Sequence, residues 1–194
     1  MKKSLFVAAM VLCAATVSAQ QQTPAPAQAP AQPPPPTDIA MNLKRQHSAI
    51  RKNLSASAVK MAEADYGFRP QGVDPVVRTF GQFIIHLANA NNMSCARALG
   101  EPTKAATDEK ATMTKAELVK LLDDSLTYCD RAYDGLTASS AVEMLKVQGR
   151  DNTVLEIARA NPLINNVAHN NEHYGNLVTY MRAKGLVPPS SEGR

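Results

Sequence analysis

His169 and His173 stand four residues apart in a stretch whose apolar positions, Ile164, Leu177 and Tyr180, follow one helical stripe. Four residues is just over a helical turn, so both imidazoles project from one face, where they can grip a single divalent ion. A third imidazole, His86, interrupts the stripe of Phe83, Ile84 and Leu87. Three neutral imidazoles that leave coordination positions open are the makeup of a catalytic or ligand-binding metal site, because a closed structural zinc site takes four protein ligands. A lone histidine on an apolar helix face is more often a hydrogen-bonded core residue. The joint pattern shifts that balance: burying three imidazoles without partners is costly, and one shared cation serves all three. With a second helix opening at Pro75 and a last one near Asn161, the three lie at similar heights and can meet near the middle of a bundle.

Other chemistry is weighed on the same residues. His169-Asn170-Asn171-Glu172-His173 matches the H-x-x-E-H pattern of inverted zincins, in which the glutamate is a protease general base. Such enzymes draw a further glutamate from a downstream helix, and the only acid after this motif is Glu192 in the tail. Glu172 is therefore expected to face solvent or to accept a hydrogen bond from a ligand imidazole. Tyr174 and Tyr180 are candidate proton donors beside the ion. His47, between Leu43 and Ile50, reads as a partly buried helix histidine, with a fourth-ligand or cavity-lining role left open. A nucleophilic pairing of a histidine with Cys95 or Cys129 has no supporting signature, and no C-x-x-C-H haem site, Gly-rich phosphate loop or paired Glu-x-x-His motif is present.

Helices must position these groups. The first is expected from about Asp38 to Glu63, capped by Thr37, with Ile39, Leu43, Ile50, Leu54 and Met61 as its apolar stripe. Tyr66-Gly67-Phe68-Arg69-Pro70 breaks the pattern, and Pro75 opens the second helix, which runs to Leu99 before Gly100. After a polar loop over 100–113, Thr114 and Glu117 form a capping box for a third helix to about Leu136. Residues 138–160 predict a short helix and an excursion around Gly149-Arg150-Asp151-Asn152. Asn161 and Pro162 start a last helix that ends at about Lys184. No alternating segment stands out, so the fold class is all-α with four principal helices. The loop of about 14 residues between helices two and three can reach roughly 45 Å, so those helices are free to run parallel. Parallel helices would bring Cys95 and Cys129 to one height, and an antiparallel hairpin would offset them by about 15 Å. A disulfide and two buried thiols both remain open.

The amino terminus carries a transport pattern: Lys2 and Lys3, an apolar run from Leu5 to Thr16, and Val17-Ser18-Ala19 as cleavage site. About a dozen apolar residues fall short of the roughly 20 that span a bilayer. Residues 1–19 are thus expected to be a cleaved signal peptide and the mature protein to be periplasmic or secreted, with no integral membrane segment. Residues 20–37, nearly all Gln, Pro and Ala, predict an extended linker that cannot build a core. Removing Lys2 and Lys3 from the 21 basic residues leaves 19 against 17 acidic ones, a near balance that gives no electrostatic footprint for nucleic acid. A homodimer is compatible with the sequence.

Taken in order, the segments resemble the DinB-like family of metalloenzymes, specifically its exported members, over most of residues 43–191, within a four-helix domain expected over 38–191. Tyr66-Gly67-Phe68-Arg69-Pro70 is similar to the family's Y-x-F-[RK]-P turn, and Arg78-Thr79-Phe80-Gly81 through His86 to Asn91 to its second helix with the first metal histidine. Thr114 to Leu118 is similar to the start of its third helix, and His169 to Gly175, continuing through Tyr180, Arg182, Gly185 and Val187 to Ser191, is the most specific piece. The resemblance implies a four-helix bundle of up-down-down-up topology, with a long crossover between helices two and three. It also implies a triad of His86, His169 and His173 holding zinc or nickel, and hydrolase or thiol-transferase chemistry on a small molecule. A tethered, non-catalytic binding module is the alternative.

Overall fold

The computed structural model describes residues 37–149 and 153–193. The expected signal peptide, and the linker apart from Thr37, lie outside the described residues. Helix α1 spans Ile39–Lys60, α2 Phe80–Leu99, α3 Lys115–Asp134, the one-turn α4 Ala138–Ala141, and α5 Ala160–Ala183; short 3-10 turns occupy Glu63–Asp65 and Pro189–Ser191. Strands β1, Met144–Gln148, and β2, Val154–Ala158, form an antiparallel hairpin between α4 and α5.

Side-chain pairings fix the topology. Asp123, Asp130 and Asp134 of α3 meet Ser55, His47 and Lys44 of α1 in reversed order, so these helices are antiparallel. Helices α2 and α3 run parallel: Leu118 approaches Gly81 near their starts, Ser125 bonds Asn91 midway, and Cys129 is joined to Cys95 near their ends. Helix α5 opposes α2, with His169 against His86 and Asn166 against Asn91. The bundle is therefore up-down-down-up, and the parallel α2 and α3 require the long crossover. Cys95 and Cys129 form a disulfide with a Cα separation of 5.2 Å, which settles the open alternative.

The apolar interior has two parts. One packs Leu54, Phe80, Ile84, Leu122, Leu177 and Met181; the other packs Leu43, Cys95, Cys129, Tyr133 and Leu163. Between them lies a buried polar layer. The Asn91 carbonyl oxygen accepts from the amides of Asn166 and Asn170 at 2.8 and 2.9 Å, and the Asn91 amide donates to Ser125 at 3.1 Å. Such a layer is tolerable only because most of its groups are paired, and it fixes the helix register.

Several boundaries differ from the sequence expectation. Asp38, not Thr37, caps α1 by accepting from the Met41 N–H. Helix α2 begins at Phe80 because Thr79 and Gln82 close a capping box there, while Asp74, Pro75 and Val77 form a separate turn held by the Asp74 carboxylate on the Val76 N–H. Pro75 is thus a turn residue. The corrected start makes His86 the seventh residue of α2, so it sits toward one end of that helix rather than at mid-bundle. Helix α5 begins at Ala160, before Asn161, with no side-chain cap. The α3 capping box of Thr114 and Glu117 is as expected.

The hairpin is the largest difference. Leu145, Val147, Leu155 and Ile157 share one face, and Lys146 faces Glu156 across the other at 3.6 Å. Period-two alternation is present in both strands. Exposed Met144 and Val154, at 59% and 69%, place a second apolar residue beside Leu145 and Leu155 and blur it.

Candidate metal centre

Helices α2 and α5 carry the three histidines to one point. His86 Nε2 and His169 Nε2 lie 3.1 Å apart, and one ligand nitrogen from each of His86, His169 and His173 falls within 4.8 Å of the others. The ring centroids are separated by 4.3 to 5.0 Å. Two ligands of a tetrahedral zinc ion, each about 2.05 Å from it, are about 3.3 Å apart, so the His86–His169 spacing already suits a shared cation.

The opposite edges of the rings explain how they are aimed. His86 Nδ1 lies 2.7 Å from the Glu109 carboxylate, which Arg78 holds from its other side at 2.6 Å. An ionised carboxylate only accepts, so Nδ1 of His86 carries the proton and Nε2 presents its lone pair toward His169. Burial works to raise the Glu109 pKa, but the Arg78 and His86 hydrogen bonds outweigh it and hold the carboxyl below its usual range. The chain of support continues to α5, where the Tyr180 hydroxyl donates to the Arg78 carbonyl at 2.7 Å. His173 Nδ1 lies 3.1 Å from the side-chain amide of Asn176, one turn on. His169 Nδ1 is buried without a hydrogen-bond partner among the described residues.

Burial keeps the two imidazoles of α5, His169 and His173, neutral. Burial is the main cause that lowers the His173 pKa to about 4, with His169 and His86 adding repulsion; burial, then His86, lowers that of His169. Neutral imidazole is the form that binds a metal. The donor set, the facing Nε2 atoms of His86 and His169 and the orienting carboxylate therefore fit a divalent cation.

Above the histidines opens a cavity of about 570 Å³. Helix α2 contributes His86, Asn89, Ala90, Met93, Ser94 and Arg97; α5 contributes Asn161, Pro162, Asn165 and His169; Val147, Leu155 and Ile157 of the hairpin close one side. Thr103, Lys104 and Ala106 of the crossover complete it. That crossover is pinned to α2 by paired bonds between the Asn89 side chain and the Thr107 backbone, at 2.8 and 2.9 Å.

The remaining candidates fall elsewhere. Glu172 is exposed. The Tyr174 hydroxyl accepts from the Ser190 N–H at 2.9 Å and anchors the C-terminal turn, and Tyr180 is committed to Arg78. His47 is buried on the far side of the polar layer, stacked on Tyr133 at 4.0 Å with its Nε2 2.9 Å from Asp130, and is not a fourth ligand. Sequence reasoning missed Glu109 and Asn176. Glu109 sits in an irregular loop with no periodicity to mark it; Asn176, three residues after His173 on the same helix face, was within reach of a spacing argument.

Comparison with known proteins agrees with this architecture. The family model of the DinB superfamily matches residues 46–177. A DinB-like protein from Bacillus cereus ATCC 10987 superposes with a TM-score of 0.61 at 15% identity, covering 76% of this chain and 93% of its own. A conserved protein from Enterococcus faecalis gives a TM-score of 0.55 at 11% identity, covering 76% and 97%. At such identities the likeness is one of fold. No curated protein matches the chain.

Proposed function

Since the chain belongs to the DinB superfamily, we propose that His86, His169 and His173 hold zinc or nickel at the floor of the cavity and that the protein is an exported metal-dependent enzyme of hydrolase or thiol-transferase type. The observation that carries this reading is the convergence of three imidazoles, one oriented by Glu109, beneath a cavity large enough for a small molecule. When bound, the ion would polarise a substrate oxygen or lower the pKa of a bound water or thiol. The protein's own part is to keep His169 and His173 neutral by burial, to fix His86 through Glu109 and Arg78, and to surround the reacting group with the apolar hairpin face. Export follows from the residues 1–19 pattern, and the Pro/Ala/Gln segment would act as a spacer.

Elemental analysis of protein purified from its native compartment tests the reading, together with turnover on thiol, ester and amide substrates. The expected result is about one divalent ion per chain, lost in His173→Ala. Protein free of metal, with the variant unchanged in metal content and stability, would overturn it.

A second reading, a tethered binding module, is favoured by one observation: Tyr174 and Tyr180 are both occupied structurally, Glu172 is exposed and Glu109 is held by Arg78 and His86, so none of these groups is free to act as a general base beside the triad. A tight ligand recovered unconverted supports it, and metal-dependent turnover rules it out.

A further inference from the structure

Arg97 is the exception among the described arginines. Arg51 is paired with Asp130, Arg78 with Glu109, Arg131 with Glu101 and Arg159 with Glu143. Arg45, Arg69 and Arg182 each donate to a neighbouring oxygen. The Arg97 side chain, half-buried in the cavity wall, makes no hydrogen bond or ion pair with a described residue, while its backbone carbonyl accepts from the Gly100 N–H. Its nearest acid along the helix, Glu101, is already taken by Arg131 at 2.7 Å and Tyr128 at 2.8 Å. A guanidinium carries five donors in a planar fork suited to an oxyanion, and a recessed one without a partner is a binding element in search of its ligand.

Its placement relative to the histidines gives that ligand a length. Arg97 follows His86 by eleven residues, three turns of α2, so both stand on one helix face with Ala90 and Met93 between them. The rise from His86 to Arg97 is about 16 Å, and the arginine side chain leans back toward the start of the helix, which shortens the gap to on the order of 10 Å. Between the two ends the wall is largely apolar, with Val147 and Ile157 of the hairpin opposite. Lys104, also on the cavity rim, keeps its ammonium 4.9 Å from the Tyr128 ring and is exposed.

We propose that the cavity takes an elongated small molecule whose metal-binding group meets the histidine triad and whose distal end is a carboxylate held by Arg97. One unpaired guanidinium, with only a solvated lysine nearby, matches a monoanion better than a dianionic phosphate. This inference rests on the metal reading above, and its test separates the two.

The full-length protein, loaded with cobalt(II) as a spectroscopic probe, is titrated with ω-mercaptocarboxylates of increasing methylene count and with alkanethiols of matched length. Thiolate ligation is followed by its charge-transfer absorbance. At one chain length the carboxylate should strengthen binding about tenfold, the scale of a charge-assisted hydrogen-bond pair. Arg97→Gln should abolish that gain and leave alkanethiol binding unchanged, and Arg97→Lys should retain part of it. If Arg97→Gln does not fold, the weakened gain in Arg97→Lys against the wild-type protein carries the test. No gain at any length, or an equal gain in the folded Gln variant, overturns the carboxylate anchor while leaving the metal site intact. A preference for ω-phosphonates overturns the monoanion assignment. A chain that takes up no cobalt overturns both readings.

Discussion

The two ends of the bundle bury histidine in opposite ways. Beyond the polar layer, His47 is sandwiched against Tyr133 and bonded to Asp130, with Arg51 completing the group. At the other end His86, His169 and His173 have one another as nearest rings, and only His86 has a carboxylate. His47, with a local acid on Nε2 and a stacking partner, is held as part of the core even though its Nδ1, like that of His169, is buried without a partner among the described residues. Three imidazoles turned toward a common point repel once a second one is protonated, whereas a single divalent cation can be faced by all three ring nitrogens.

The sharpest way to break this contrast is to exchange the expected losses. Replacing His86 or His169 with Ala should lower metal affinity by at least about a hundredfold, measured by competition with a chromophoric chelator, with little change in the thermal stability of the metal-free protein. His47→Ala should do the reverse: unchanged metal content and a loss of about 2 kcal/mol in denaturant unfolding. If His47→Ala emptied the site, the distinction between the two ends would collapse.

The disulfide belongs to the His47 end, and its removal should be felt there. Replacing both Cys95 and Cys129 with Ala should cost about 4 kcal/mol by the loop-entropy relation for a separation of 34 residues, read from urea unfolding. Metal affinity should survive where the variant is folded.

Acid should expose the triad end. His173 has a folded-state pKa near 4, well below the roughly 6.5 of an unfolded chain, and His169 and His47 are lowered in the same direction by burial. Between these values the unfolded state binds more protons. Metal-free protein should therefore be fully stabilised above about pH 6.5 and lose stability as pH falls toward 4, by roughly 3 kcal/mol from His173 alone. Saturating metal should push the loss to lower pH, because protons and cation compete for the same nitrogens. An acid profile indifferent to metal would argue against that competition.

The mildest change is Glu109→Gln, which leaves the triad and removes the charge behind His86. Metal affinity should fall about 10- to 100-fold with retained fold, seen by the same chelator competition.

Much of this was legible in the sequence because helical spacing is a strong code. The His169–His173 pair, the stripe through His86 and the Thr114–Glu117 box each locate themselves by period or cap. Glu109 was not legible, since a residue in an irregular loop reaches its partner through the path of the chain rather than through any repeat. The hairpin was obscured by exposed apolar residues at Met144 and Val154, and the start of α2 by a proline that serves a turn. The Arg97 guanidinium stands out by what it lacks, which the contacts of the other described arginines reveal.

The crossover between α2 and α3 turns a requirement of topology into an opportunity. Two neighbouring helices that point the same way oblige the chain to travel back along the bundle, and on that return journey it lays Glu109 against His86 and Thr107 against Asn89. The supporting carboxylate and part of the cavity wall are thus written in a stretch whose share in the helices' own interior is little more than Met113. Substitutions along that strap would reshape what stands beside His86 and over the cavity while the bundle beneath kept its packing.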